Sequence, residues 1–108
     1  MSTTRIATLE AHPDTVFATL LDAAAELGLS FYVIDEGRRQ VELRREGKAY
    51  RVSASVTDNG WGRATLHLSW DPAGSTGGGT CAKRVVRRTR AILAGMEPPP
   101  AAPPPPGG

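Results

Sequence analysis

The sequence predicts an α+β domain in which an antiparallel meander sheet carries two amphipathic helices on one of its faces. Two stretches with apolar residues at helical spacing lie toward the ends of the chain, and short segments of alternating polarity lie between them. The predicted order is β-α-β-β-β-β-α, and it occupies residues 1–97 as a single domain. Seven of the nine prolines fall in residues 98–108, so this tail is predicted to be disordered with polyproline II character.

The N-terminal pattern predicts the first strand and the first helix. Alternation of apolar and polar residues indicates a strand over Arg5–Ala11. His12 is expected to act as a cap or turn residue, and Pro13 suits the first helical turn because proline has no N–H to leave unbonded. The helix extends to about Leu27 and stops at Gly28, which adopts the left-handed cap conformation without steric cost. Its apolar stripe consists of Val16, Phe17, Leu20, Leu21, Ala24 and Leu27.

Four extended segments form the predicted meander. They are Leu29–Asp35, Gln40–Arg45, Ala49–Thr57 and Arg63–Trp70. Asn59-Gly60 is the strongest turn signal, because this pair readily takes the positive φ angles of a tight hairpin. Alternation directs one apolar face toward the helices and leaves a face of hydroxyl and charged side chains without an aromatic residue. That polar face is expected to be solvated, with self-association left open as the alternative.

The second helix is predicted over Thr80–Met96. Before it, residues 74–79 contain four glycines and are expected to be a flexible connection. The alternative is an anion site at the start of the helix beside Lys83 and Arg84, although the Gly-Lys-Ser/Thr sequence of a phosphate-binding loop is missing. The inward stripe consists of Cys81, Val85, Val86, Thr89, Ile92, Leu93 and Met96.

The inward stripes together predict the core. Their large side chains should be buried against one another, and replacing one by alanine should destabilise a domain of this size strongly. The predicted core residues are Phe17, Leu20, Val52, Leu66, Leu68, Trp70, Val85 and Ile92.

The element order and a short motif resemble known fold families. The motif is Leu9–Phe17, in which a strand passes directly into a helix that opens with Pro13-Asp14. This arrangement is similar to helix-grip domains of the START-like and polyketide-cyclase-like type, and the order also resembles one repeat of the TATA-binding-protein-like fold. The helix-grip resemblance implies a C-terminal helix lying across the sheet and a role as a small-ligand carrier, although members of that group are longer and have more strands.

Composition argues against several classes of protein. No run of 18 apolar residues could span a membrane, and the N-terminus has no apolar secretory segment. Cys81 is the one cysteine, which is typical of a reducing cytoplasm, and its place on the apolar stripe predicts a buried, inert thiol. His12 and His67 have no partners at metal-ligand spacing, and no catalytic triad or nucleophile elbow appears. The sequence therefore predicts a cytoplasmic protein, from a GC-rich bacterium by its composition, without enzymatic activity, metal or cofactor.

Charge is distributed unevenly along the chain. Residues 1–36 carry one basic and six acidic side chains, whereas residues 37–97 carry twelve basic and five acidic ones. The cations of the second helix could pair with Asp22 and Glu26 of the first helix, or they could bind an external polyanion. These candidate partner-surface residues are Lys83, Arg84, Arg87, Arg88 and Arg90.

Three functions fit these observations. The leading hypothesis is a small non-enzymatic adaptor that acts through protein–protein contacts of the basic helix and the proline-rich tail. The alternative is a nucleic-acid-binding module that uses the basic helix. The third is a carrier of a small apolar ligand, of the helix-grip type. A protein partner is expected, nucleic acid and self-association are left open, and no membrane contact is expected.

Overall fold

The computed structural model describes residues 3–48, 50–71 and 77–95. Five strands form one antiparallel sheet, and two helices complete the domain. The predicted α+β class and element order are therefore confirmed. The predicted tail at residues 98–108 lies outside the described residues. In chain order the elements are β1 (Thr3–Leu9), α1 (Pro13–Glu26), β2 (Ser30–Asp35), β3 (Gln40–Arg44), β4 (Arg51–Gly60), β5 (Arg63–Trp70) and α2 (Gly78–Gly95). The spatial order of the strands in the sheet is β1-β5-β4-β3-β2.

Helix α1 begins and ends where its sequence indicates. The imidazole Nδ1 of His12 accepts a hydrogen bond from the backbone N–H of Asp14 at 3.2 Å, so histidine performs the capping role usually taken by serine or aspartate. At the other end Gly28 has a φ of 74°, and its N–H donates to the carbonyl oxygen of Ala25. The N–H of Leu29 donates to the carbonyl of Ala24 at 2.9 Å, which completes a Schellman motif and directs the chain into β2.

The β4–β5 hairpin turns two residues later than Asn59-Gly60 predicts. Strand β4 continues to Gly60, which pairs with Arg63, and the turn consists of Trp61 and Gly62. Both turn residues have positive φ, 58° and 71°, as a two-residue type I′ turn requires. The pairing register shifts between Asp58 and Gly60, so the Asn59-Gly60 pair forms a β-bulge instead of the turn.

Helix α2 begins two residues earlier than predicted, inside the glycine run. A β-carbon added to Gly78 would lie 2.8 Å from Cδ1 of Trp70, so only glycine allows the helix to approach the end of β5 this closely. Gly78 and Gly79 are therefore helical, and the expected flexible connection is wrong at these two positions. The rest of that connection apart from Gly77, residues 74–76, lies outside the described residues, as does Met96.

The core lies between the two helices and one face of the sheet. Of the predicted core residues, Phe17 and Trp70 are partly exposed but pack against it. The expected burial of Ile92 is wrong, because Ile92 is partly exposed and the neighbouring Leu93 packs against the core instead. The predicted core residues that are fully buried are Leu20, Val52, Leu66, Leu68 and Val85.

Within the described residues no helix covers the opposite face of the sheet. Tyr32 pairs across the strands with Glu42 on this face and is 68% exposed, so the expectation of a face without aromatic residues is wrong. Ile6 lies on β1 at the opposite edge of the sheet, where it is exposed on the same face and pairs with His67 of β5. Phe31–Ile34 are all apolar, so β2 offers no alternation from which the orientation of Tyr32 could be predicted.

Candidate functional site

A cavity of about 300 Å³ opens beside the first turns of α2. Its walls come from the end of α1, the residue before β2, the turn between β3 and β4, and the start of α2. Segments far apart in the sequence therefore meet at one end of the domain. The lining residues are Leu27, Leu29, Arg45, Lys48, Tyr50, Gly77, Thr80, Cys81 and Arg84.

The floor of the cavity is apolar and buried. Leu29, Tyr50 and Cys81 are each less than a tenth exposed. Gly77 has a φ of 114°, and a β-carbon there would lie 3.0 Å from Cε2 of Tyr50. A side chain at this position would therefore press on the tyrosine ring, and the glycine keeps the space over the ring open.

Tyr50 and Cys81 lie close enough in this floor for each to influence the pKa of the other. Burial raises the pKa of the Cys81 thiol, and this effect outweighs those of the nearby Tyr50 hydroxyl and of the charges of Arg45 and Arg84, which lower it. Burial also raises the pKa of Tyr50, and the adjacent thiol adds to that rise. Both groups are therefore protonated near neutral pH, which suits a binding surface better than a nucleophile.

Three cations stand at the mouth of the cavity. Arg45, Lys48 and Arg84 are exposed, and none forms an ion pair with a carboxylate in the part of the chain that the structure describes. They stand above the apolar floor, and the charge of Arg45 is near enough to Tyr50 to lower the pKa of its phenol, against the larger effect of burial. A molecule with an apolar body and an anionic group would therefore find matching chemistry at both of its ends.

The basic helix divides into two flanks. On the α1 flank, Arg88 donates a hydrogen bond to Glu26, which is the internal pairing that the sequence offered as one alternative. This bond, together with the charge of Glu26, raises the pKa of Arg88. Asp22, the other acidic candidate, has no ion pair among the described residues. On the β1 flank, a groove is lined by Arg5, Lys83, Val86, Arg87 and Arg90.

The two histidines have local structural contacts. His12 caps α1, as predicted, and His67 lies 3.2 Å from the hydroxyl of Thr57 on the uncovered sheet face. Over residues 3–48, 50–71 and 77–95, no cluster of three or more histidine, cysteine or acidic side chains has the geometry to hold a metal ion. No helix in those ranges is long and apolar enough to cross a membrane.

Comparison with solved structures places this architecture among the helix-grip folds. The chain is similar to norcoclaurine synthase from Thalictrum flavum in complex with dopamine and hydroxybenzaldehyde, with a TM-score of 0.63 and 12% identity over 91% of this chain and 88% of that one. It is also similar to Ara h 8.0201, with a TM-score of 0.61 and 8% identity over 88% of this chain and 98% of that one.

A third similar structure is EF2215, a conserved protein of unknown function from Enterococcus faecalis. Its TM-score is 0.60, with 13% identity over 94% of this chain and 74% of that one. No family model matches the sequence, and no match to a curated protein was found. At these identities the likeness defines the fold alone, and it supports the helix-grip resemblance that the sequence indicated.

Sequence reasoning found only part of the site. Arg84 belonged to the predicted partner surface, and Cys81 was predicted to be a buried thiol. Arg45, Lys48 and Tyr50 were not singled out, because they look like ordinary turn and strand residues in one dimension. The sequence does contain one signal for them, because Arg45 and Lys48 flank the glycine of the turn between β3 and β4. The pairing of β3 with β4 places this turn next to the start of α2.

Proposed function

We propose that the protein is a non-enzymatic carrier of a small molecule that has an apolar, ring-sized body and an anionic group. The observation that carries this proposal is the cavity, in which an apolar floor lies below three cations that form no ion pair with a carboxylate of the described residues. Leu29 and Tyr50 would contact the body of the ligand. Arg45 and Arg84 would bind its anionic group through charge-assisted hydrogen bonds.

The size of the cavity narrows the ligand class. About 300 Å³ is at the lower end of the range for small-molecule sites, so the cavity suits one or two rings better than a long acyl chain. The fold supports this proposal by analogy, because the similar norcoclaurine synthase structure holds dopamine and hydroxybenzaldehyde, which are small aromatic molecules.

The chemistry of the floor favours binding over catalysis. The Cys81 thiol and the Tyr50 phenol both have a raised pKa, so neither supplies an anionic nucleophile or base near neutral pH. The expectation of an adaptor that acts through protein contacts gains no support from the fold or from the comparisons.

A matched pair of ligands tests the proposal. Naphthalene-2-carboxylate and naphthalene-2-methanol have nearly the same apolar body, but only the first is anionic. We expect saturable binding of the carboxylate by isothermal calorimetry, with clearly weaker binding of the alcohol. Arg45→Gln and Arg84→Gln should each weaken carboxylate binding about tenfold, equivalent to about 1.4 kcal/mol, and should leave the alcohol unaffected.

Arg44→Gln is the control. Arg44 precedes Arg45 in the sequence, but it pairs with Arg51 across the strands, does not line the cavity, and is exposed. It should not change carboxylate binding. Absence of saturable binding by either compound, or an equal loss in Arg44→Gln, would overturn the proposal.

A further inference from the structure

Four cations from two elements converge on a groove along the β1 flank of α2. They are Arg5, Lys83, Arg87 and Arg90, and we call them the β1-flank cluster. The groove has a volume of about 210 Å³, and the buried side chain of Val86 lies at its base. The three helical cations are four and three residues apart, so they lie on one side of the helix over about 10 Å.

The cations that lack an ion pair within the described residues are not scattered over the surface. Of the thirteen lysines and arginines, five form ion pairs with described carboxylates. Among the described residues, three of the others line the cavity and four form the β1-flank cluster, so only Arg44 stands elsewhere. The paired cations are Arg38, Arg39, Arg51, Arg63 and Arg88.

Among the described residues, no carboxylate lines the groove or forms an ion pair with the β1-flank cluster. Glu10 lies in a neighbouring pocket with Arg90 but pairs with Arg63, and Glu26 pairs with Arg88 on the α1 flank of α2. Like charges three or four residues apart weaken a helix, and Arg5 adds a further positive charge from β1. An anion that contacts several of these side chains at once would relieve their repulsion.

The residues that line the groove indicate which class of polyanion it can bind. Proteins that bind single strands stack the bases on aromatic side chains, and no aromatic residue lines this groove. Surfaces that enter a membrane combine cations with exposed apolar side chains, and none of the large exposed hydrophobic residues of the described chain lies on α2. A row of cations without either feature fits the regularly spaced phosphates of a duplex.

We infer that the β1-flank cluster is a second binding site, which contacts the phosphate backbone of double-stranded nucleic acid without reading its base sequence. This site shares no residue with the cavity, so it does not depend on the proposed carrier function. Each phosphate contact contributes about 0.9 to the slope of log K against log salt on B-form DNA. Four contacts therefore predict a slope of about −3.6.

Fluorescence anisotropy of a labelled random-sequence DNA duplex, measured between about 50 and about 200 mM salt, tests this inference. Arg5→Gln alone should reduce the magnitude of the slope by about 0.9, although Arg5 lies far from the basic helix in the sequence. Lys83→Gln/Arg87→Gln/Arg90→Gln should reduce it by about 2.7, and glutamine preserves helix propensity.

The charge-matched control is Arg38→Gln/Arg44→Gln/Arg51→Gln, which removes three exposed cations outside the groove. It should change the slope by less than either cluster variant. If the control reduced the slope as much as the triple cluster variant does, duplex binding would reflect general charge attraction, and the inference would be overturned. The absence of duplex binding by the native protein would overturn it as well. Tighter binding to vesicles containing phosphatidylserine than to the duplex would instead assign the cluster to a membrane surface. Should the triple variant not fold, Arg5→Gln decides the question.

Discussion

At the scale of single residues, two buried threonines differ in how their hydroxyl groups are satisfied. Thr19 and Thr89 are both fully buried. The hydroxyl of Thr19 donates to the carbonyl oxygen of Thr15 at 2.7 Å. The hydroxyl of Thr89 has no hydrogen-bond partner in the described part of the chain. A buried hydroxyl without a partner loses its hydration and gains nothing in return.

We therefore predict that Thr89→Val stabilises the protein. Valine keeps the branched shape of threonine and removes the unsatisfied hydroxyl, so the free energy of unfolding should rise by about 1 kcal/mol in urea titrations. Thr19→Val is the matched control, and because it removes a made hydrogen bond its gain should be smaller or absent. A loss of stability in Thr89→Val larger than in Thr19→Val would contradict this account.

The thiol of Cys81 predicts how stability depends on pH. Burial raises its pKa in the folded state above the ordinary 9.0. Above that pH the unfolded chain releases the proton while the folded chain keeps it, so the free energy of unfolding should fall as pH rises. Below it the contribution is constant.

Urea titrations between about pH 8 and about pH 10 measure this slope. Cys81→Ala should have a shallower decline than the native protein, whatever its absolute stability. Tyr50 contributes in the same direction at higher pH, because its pKa is also raised. An equally steep decline in Cys81→Ala would show that the thiol is not responsible.

At the scale of elements, the β4–β5 hairpin places a large side chain where the backbone disfavours it. Trp61 has a φ of 58° and is 98% exposed, so its indole ring gains no burial in return for the left-handed conformation. Bulky residues with positive φ are uncommon and are retained mainly where something else depends on them. Nothing that this hairpin contacts among the described residues explains the tryptophan.

Trp61→Asn should accordingly stabilise the hairpin. Asparagine tolerates positive φ at the first position of a type I′ turn, so the free energy of unfolding should rise by up to about 1 kcal/mol. Thermal melting monitored by circular dichroism measures the change. Gly62→Ala, which introduces strain at the adjacent turn residue, should have the opposite sign, and a fall in stability for Trp61→Asn would mean that the ring has packing partners.

At the scale of the whole molecule, α2 separates the two proposed sites. The cavity lies beside its first turns with Arg84 at the mouth, and the β1-flank cluster lies on the flank that faces β1. The Arg88–Glu26 pair joins α2 to α1. The inward stripe of α2 thus packs in the core, and its exposed residues contribute to both the cavity and the β1-flank cluster.

The core that supports this arrangement is built from residues 7–93. Deletion of residues 98–108 should therefore leave the melting temperature unchanged, because a proline-rich segment without bulky apolar side chains adds nothing to a core. A lower melting temperature of the truncated protein in differential scanning calorimetry would indicate that the tail packs against the domain. The expected cytoplasmic localisation also stays a prediction.

The sequence by itself determined the features that depend on neighbouring residues. The period of apolar residues defined both helices, and Pro13 and Gly28 set the limits of α1. The four predicted meander segments all form strands, with bounds that differ by a few residues, as at the Asn59-Gly60 bulge. Local propensity is enough to predict such elements, because their hydrogen bonds join residues that are a few positions apart or lie across a short turn.

Only the tertiary structure decided which distant residues share a site. Tyr50 and Cys81 line one cavity, and Arg5 and Arg87 line one groove, because strand register and the packing of α2 bring them together. The orientation of Tyr32 was also decided by pairing with β3, since its own strand has no alternation. A cavity and a cationic groove are properties of the space between elements, and that space is set by close packing of the whole core and not by the periodicity of any one segment.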